Sequence, residues 1–284
     1  MNDRRVVIYG GSSYVSEELI KILSNDYTKF TIICRNKNYI EDYISKNNLQ
    51  NLEIDIFEAD LLDLENNLSI IENFEANIGG LIWVAGFTGN PDEEFNDIKK
   101  CKENLTVNFV NPVLLINKII PKIIPNDNSF IAVLTSVAGI RGRGKRLFYS
   151  SAKSGMNAYL SGLRQKIFDK RINVLTVIPG YMNTKPFNIK APKFLICSPE
   201  KAAKIIYKSI IKKKEIVYIN FFWRIIMMII NFIPEKIYKK LKFIKLIGTY
   251  MIIKPKTKPR FFETCVTCNY YFFAFINAKH LIFF

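Results

Sequence analysis

Ser136, Tyr149 and Lys153 stand in one run, TSVAGIRGRGKRLFYSSAK, and their types suit proton transfer to a carbonyl oxygen. A free phenol titrates near pH ~10, so it exchanges a proton at neutral pH only where a nearby cation favours the phenolate. On a helix, the four-residue spacing from Tyr149 to Lys153 puts the ammonium on the same face as the phenol. The strand-like FIAVLTS ends at Ser136, whose hydroxyl could hydrogen-bond the oxygen that Tyr149 protonates. Three groups would then converge on one carbonyl. A Tyr-x-x-x-Lys pair alone describes an exposed helix face equally well, so the elements that position it must decide.

Those elements begin at the N-terminus. RRVVIY, residues 4–9, is a short apolar run, and it leads into GGSSYVSEELIKILSN, whose apolar residues recur at helical spacing. A turn with Gly10 and Gly11 lets backbone N–H groups approach a pyrophosphate at the N-terminus of the following helix, where the helix dipole favours anions. Ser12 and Ser13 add hydroxyl donors and a cap. Tyr14 and Ser16 occupy the places where a dinucleotide fingerprint carries its second and third glycines. Further strands are read at FTIICRN, LEIDIFEAD, IGGLIWVAG, SFIAVLTS and INVLTVIPG, with helical stretches between most of them. This alternation predicts an α/β fold: a Rossmann-type, doubly wound parallel sheet with helices on both faces. Ligands of such sheets bind beyond the carboxyl ends of the strands. Gly10, Asp60, Gly86, Ser136 and Pro179–Gly180 each follow an apolar run and would line that one edge.

With Asn108 in TVNFVNP and the PGYMNT run from Pro179 to Thr184 added, this ordered set resembles the short-chain dehydrogenase/reductase family over residues 4 to 220. The resemblance implies that Tyr149 is the general acid or base and that Ser136 positions the carbonyl. It also implies that Lys153 lowers the tyrosine pKa and holds the nicotinamide ribose, and that Asn108 anchors a water in the proton relay. Gly10, Gly11, Ser12, Ser13, Ala85, Gly86, Pro179 and Gly180 would contact the dinucleotide, with Asp60 at the adenine and Thr184 near the nicotinamide amide. Val84 stands where the family usually has asparagine, and members handling nucleotide-linked or lipid-linked sugars resemble this chain in the substituted glycine turn. At the end of the second strand a carboxylate would accept hydrogen bonds from a ribose and repel a 2′-phosphate, whereas an arginine would pair with the phosphate. Cys34, Arg35, Asn36 and Lys37 stand there, with no acid among them, and favour NADP(H) over NAD(H).

Charge gives a separate clue. Residues 1–184 hold 21 Lys+Arg and 21 Asp+Glu, and residues 185–284 hold 20 and 4, so the formal excess of +16 lies in the last hundred residues. The segment NFFWRIIMMIINFIPEKIYKKLKF sets aromatic and aliphatic residues beside Arg224, Lys236, Lys239, Lys240 and Lys242, which suits a lipid interface. A membrane-spanning helix needs ~20 apolar residues, and Phe221 to Ile233 is shorter and ends at Pro234. A helix lying on a membrane, or packing over the substrate or against a second subunit of a homo-oligomer, is expected instead. This segment and the basic loop narrow the resemblance to reductases of decaprenyl-phosphoryl 2-keto-pentose. That resemblance implies a lipid-linked sugar phosphate as substrate, with Arg141, Arg143, Lys145 and Arg146 facing the phosphate.

The chain divides into a catalytic domain over 1–220, a membrane-associated or amphipathic helix over 221–243 and a tail over 244–284 with no readable period. No nucleic-acid motif accompanies the basic residues. Five scattered cysteines and a polar N-terminus with no secretory pattern lead to an expectation of a cytoplasmic protein, at the inner face of the membrane where the basic arm reaches it. The Cys265–Cys268 pair has no second pair and only His280 near it, so no metal is expected.

Overall fold

The computed structural model describes residues 2–183, 191–243, 253–255, 275–277 and 280–282. Short apolar runs become strands: β1 (Asn2–Tyr9), β2 (Tyr27–Cys34), β3 (Glu53–Glu58), β4 (Ile78–Trp83), β5 (Ser129–Leu134) and β6 (Ile172–Ile178). Two-residue strands β7 (Tyr181–Met182) and β8 (Ile196–Cys197) pair with each other, and β9 (Ile216–Tyr218) rejoins the main sheet. The main sheet is parallel throughout, with strand order β3-β2-β1-β4-β5-β6-β9. The order reverses between β1 and β4, and a ligand crevice opens at such a switch point. This is the Rossmann-type architecture that the alternation of elements predicts.

Side-chain alternation along β1 explains the two layers. Val6 and Ile8 pack on one face with α1 (Tyr14–Leu23), α2 (Lys37–Lys46) and α8 (Pro199–Ile211). Val7 and Tyr9 pack on the other with α3 (Leu64–Glu72), α6 (Asn111–Ile119) and α7 (Leu147–Lys166). Because both faces are covered, every residue of β4 and β5 is buried, while edge strand β3 alternates exposed and half-buried positions. Between β4 and α6 lie α4 (Pro91–Asn96), α5 (Ile98–Leu105) and a single π-helical turn over Thr106–Val110.

Beyond β9, Asn220 caps α9 (Phe221–Phe232), whose Trp223, Ile226, Met227 and Ile230 are buried against Val137, Ile178 and Leu195. The helix expected over 221–243 therefore stops at Phe232, ahead of Pro234, because the residue before a proline is pushed out of helical geometry. Arg141 finishes it. Its Nη1 donates to the carbonyls of Ile230 (2.6 Å), Asn231 (3.1 Å) and Ile233 (2.5 Å), and its Nη2 meets Glu235 at 3.0 Å. A guanidinium on the last carbonyls of a helix satisfies orphan acceptors and the negative end of its dipole. Past α9 the described backbone holds two antiparallel ladders, Leu241–Phe243 with Ile253–Pro255 and Phe275–Asn277 with His280–Ile282. Among the described residues no helix is long and apolar enough to cross a membrane.

Candidate active site

The β1–α1 turn is built on Gly10, whose φ of +90° is a conformation L side chains rarely adopt. A Cβ there would also lie 2.6 Å from the Ala85 backbone nitrogen, so glycine lets the ends of β1 and β4 touch. Gly10 and Gly11 both donate to the carbonyl of Ile33, which fixes the turn against β2. Ser13 caps α1 by accepting from Val15 N–H at 3.3 Å, and Ser12 is exposed beside it. Ser16, in the place of a fingerprint glycine, is fully buried and donates its hydroxyl to the Gly10 carbonyl at 2.8 Å. The side chain that would crowd a glycine-packed turn instead ties the turn to its helix.

Arg35 follows β2 directly, is exposed and takes no hydrogen bond or ion pair among the described residues. Cys34 and Glu58 are register partners, so Arg35 and Asp60 leave neighbouring strand ends. Asp60 is exposed and accepts from Leu62 N–H at 2.9 Å. On the other side of the switch point, Val84 and Ala85 N–H both donate to the Tyr9 carbonyl. Pro179 accepts from Val137 N–H, and Gly180 is closed over by the Trp223 indole, whose Nε1 donates to the Leu195 carbonyl at 3.0 Å. Thr184 lies outside the described residues, as do Cys265 and Cys268. Among the described residues no cluster of His, Cys, Asp or Glu could hold a metal ion.

Ser136 caps a 3-10 turn over Val137–Gly139 and hydrogen-bonds the Tyr149 phenol. Tyr149 lies in the first turn of α7, and the buried Lys153 ammonium sits 5.8 Å from its ring centroid, so the helical spacing does bring them to one face. Lys153 Nζ also reaches the Leu134 carbonyl at 3.4 Å. A Cβ added at Gly86 would come within 2.8 Å of Asn108 Oδ1 and 3.2 Å of Lys153 Nζ, which places these three residues around one small space. Burial lowers the Lys153 pKa to about 8. Burial raises the Tyr149 pKa above the ordinary phenol value, opposed by the Ser136 hydrogen bond and then by the Arg146 charge. In the protein alone desolvation dominates the Tyr149 shift, and the charge that opposes it is that of Arg146.

Asn108 and Arg146 are joined by two supporting residues that the sequence reading did not name, Asn104 and Glu94. Asn108 sits in the π turn, fully buried, and donates to the carbonyls of Phe87 (2.8 Å) and Asn104 (3.0 Å) while accepting from Phe87 N–H (3.2 Å). Asn104, one turn earlier, also accepts from Asn108 at 2.9 Å and donates to buried Glu94 at 2.6 Å. The i,i+4 pair of asparagines on an apolar stretch was the available signal. Arg146 Nη1 holds the Thr88 and Gly89 carbonyls at 3.0 and 3.1 Å, so the loop after β4 is pinned to the start of α7. With Arg141 on α9, two of the four loop cations expected at a phosphate are committed to carbonyls. Because Arg146 counteracts the burial that raises Tyr149, Arg146→Gln is expected to move the alkaline limb of the kcat/KM profile for ketone reduction to higher pH. A limb that stays in place would remove Arg146 from the proton-transfer step.

The sequence over residues 4–192 matches the family described as short chain dehydrogenase. The chain belongs to this family. An uncharacterized oxidoreductase of Mycobacterium tuberculosis is 23% identical over 240 residues, covering 83% of this chain and 96% of that protein. A very-long-chain 3-oxoacyl-CoA reductase of Bos taurus is 23% identical over 215 residues, 72% of this chain and 67% of that one. Among solved structures, a short chain dehydrogenase from Burkholderia cenocepacia in complex with NADP superposes with a TM-score of 0.68 at 17% identity, covering 80% of this chain and 92% of that one. The bulky-bulky ketone specific alcohol dehydrogenase from Comamonas testosteroni gives 0.67 at 17% identity, covering 83% and 96%. This short-chain dehydrogenase is an NAD(P)-dependent oxidoreductase acting on alcohol and ketone groups. Its residues fit such a dinucleotide, because a glycine-built turn faces the switch point and a buried ammonium and amide face the strand end beside it.

Proposed function

We propose that this short-chain dehydrogenase uses NADP(H) to reduce the keto group of a sugar or lipid-linked sugar phosphate, with Tyr149 as general acid. The observation that carries the chemistry is the convergence of Ser136, Tyr149, Lys153 and Asn108 at the carboxyl ends of β4 and β5. When bound, the dinucleotide supplies the hydride. The Ser136 hydroxyl positions the substrate oxygen, and the Tyr149 phenol gives that oxygen its proton as the carbonyl becomes an alcohol. The Lys153 ammonium stabilises the phenolate left behind and holds the nicotinamide ribose, and Asn108 anchors the water through which the proton is replaced. Gly10, Gly11, Ser12 and Ser13 hold the pyrophosphate, with Asp60 at the adenine and Ala85, Gly86, Pro179 and Gly180 along the remainder.

Arg35, exposed and unpartnered where a ribose-binding acid would stand, supports NADP(H). Charge-assisted hydrogen bonds contribute about 1.5–3 kcal/mol, so Arg35→Ser is expected to lower kcat/KM for NADPH by roughly 10–100-fold and to leave NADH nearly unchanged. An unaltered NADPH/NADH ratio would reverse the cofactor choice. The sugar phosphate reading rests on the TSVAGIRGRGKRLFYSSAK run; Arg141 and Arg146 are bound to carbonyls and Arg143 Nη2 meets the Met227 sulfur at 3.8 Å, so its phosphate falls to exposed Lys145.

A second reading, an apolar ketone or acyl chain, is favoured by one observation: Trp223 and Tyr181 stack edge to face at 5.2 Å beside Gly180 and form an aromatic wall. NADPH consumption by the purified chain, compared across a polyprenyl-phosphate keto-pentose, a 3-oxoacyl thioester and a steroid ketone, separates the two. Faster turnover of either apolar ketone than of the keto-pentose would sink the sugar reading.

A further inference from the structure

A cavity of about 750 Å³ lies away from the catalytic residues. It is a groove between the end of α8, edge strand β9 and the start of α9. Its floor includes Ile178, Val217 and Ile219, and its rim carries Lys208, Lys212, Lys214 and Arg224. All four rim cations are exposed, none is in an ion pair among the described residues, and no carboxylate lines the groove. Large apolar side chains stand in the open beside them: Ile211, Ile216 and Phe221 are 61%, 52% and 64% exposed. From Phe221 the exposed apolar residues continue along α9 through Met228 to Phe232, a spacing that keeps them on one helix face, opposite buried Trp223, Met227 and Ile230.

We propose that this groove and the adjoining face of α9 form a docking surface for an anionic lipid bilayer, with a lipid phosphate among Lys208, Lys212, Lys214 and Arg224. Fixed cations around an apolar depression, flanked by exposed aromatic and aliphatic groups, match the anionic headgroup and acyl boundary of a membrane. A second copy of the chain is the competing occupant, since β9 is an edge strand. A two-fold pairing of that edge would set the same four cations against each other, with Glu215, exposed beside Lys214, as only a partial offset. The surface shares Arg224 and the apolar residues of α9 with the lipid-facing segment expected from sequence, but its other cations are Lys208, Lys212 and Lys214 rather than the lysines after Pro234. It does not depend on which ketone the enzyme reduces.

Co-sedimentation of the full chain tests this with vesicles of phosphatidylcholine alone and with about one-third phosphatidylglycerol. The wild type is expected to pellet only with the anionic vesicles. Each basic residue near such a surface contributes about 1 kcal/mol, so Lys208→Gln/Lys212→Gln/Lys214→Gln should weaken binding by about 100-fold. Lys99→Gln/Lys100→Gln/Lys102→Gln, on α5, is the charge-matched control and should lose less than tenfold. Met228→Ser/Phe232→Ser should weaken binding while leaving kcat on a soluble ketone unchanged, and Tyr149→Phe should bind vesicles as the wild type does. Equal losses in the two lysine triples, or equal pelleting with both vesicle types, would overturn the proposal. Relief of binding by millimolar inorganic phosphate at constant ionic strength would assign the groove to a free phosphate instead. Self-association of the wild type that the α8–β9 triple abolishes, without vesicle binding, would assign it to a second copy.

Discussion

Tyr149→Phe is expected to lower kcat for ketone reduction by about 10²–10⁴ with little change in KM, because it deletes a proton donor and keeps the ring. The size follows from what remains. Ser136 still positions the carbonyl and the dinucleotide still carries hydride, but the developing alkoxide has no acid within reach and must take its proton from water. Packing is conserved in this variant, since only the hydroxyl that meets Ser136 is lost. Single-turnover oxidation of NADPH is the cleanest measurement, as it isolates hydride transfer from product release. A variant that retains its rate would exclude Tyr149 as the acid and return the Tyr-x-x-x-Lys spacing to an incidental helix face.

Lys153→Met should raise the stability of the cofactor-free protein at neutral pH while abolishing turnover. Burial holds the Lys153 pKa at about 8, below its ordinary value of 10.5. Below pH 8 the folded state therefore keeps an ammonium that the unfolded chain holds at less cost, and the fold is penalised. Between about pH 8 and 10.5 the folded protein has released this proton and the unfolded chain has not, so stability rises with pH until the penalty is gone. The difference of about 2.5 units corresponds to about 3 kcal/mol, an increase of roughly 6–12 °C in Tm for a chain of this size. Comparing wild type and variant across pH 7 to 9.5 cancels the contribution of the buried tyrosines, whose raised pKa values act at higher pH. Equal slopes in the two proteins would show that the ammonium is solvated. A site that destabilises its own fold to hold a charge is the usual sign of a group retained for chemistry or binding.

Much of the α/β framework was readable because parallel strands covered on both faces must be apolar at successive positions. IGGLIW and SFIAVL are such runs, and each strand is followed by the residue type that its end requires. In sequence the glycine turn has Tyr14 and Ser16 in the places of two fingerprint glycines. Ser16 fills its place by burying its hydroxyl on the Gly10 carbonyl, a contact that spans six residues and a change of direction. The basic loop was misleading for a similar reason. Arg141, Arg143, Lys145 and Arg146 form a charge run in sequence, yet Arg141 reaches about ninety residues onward to end α9, and Arg146 reaches back to the loop after β4.

By itself the sequence determined what is local or periodic: the strand and helix alternation, the Tyr149–Lys153 face, the glycine turn and the absence of an acid after β2. Each depends on spacing within a few residues or on one strand end. The tertiary structure decided what depends on distant partners and on desolvation. It set the direction of the Tyr149 and Lys153 shifts, the support of Asn108 by Asn104 and Glu94, and the division of α9 into a face buried on Val137 and Ile178 and a face left open. A side chain's charge can be read from its letter, but whether that charge meets a carbonyl, a substrate or solvent is fixed only when the chain closes around it.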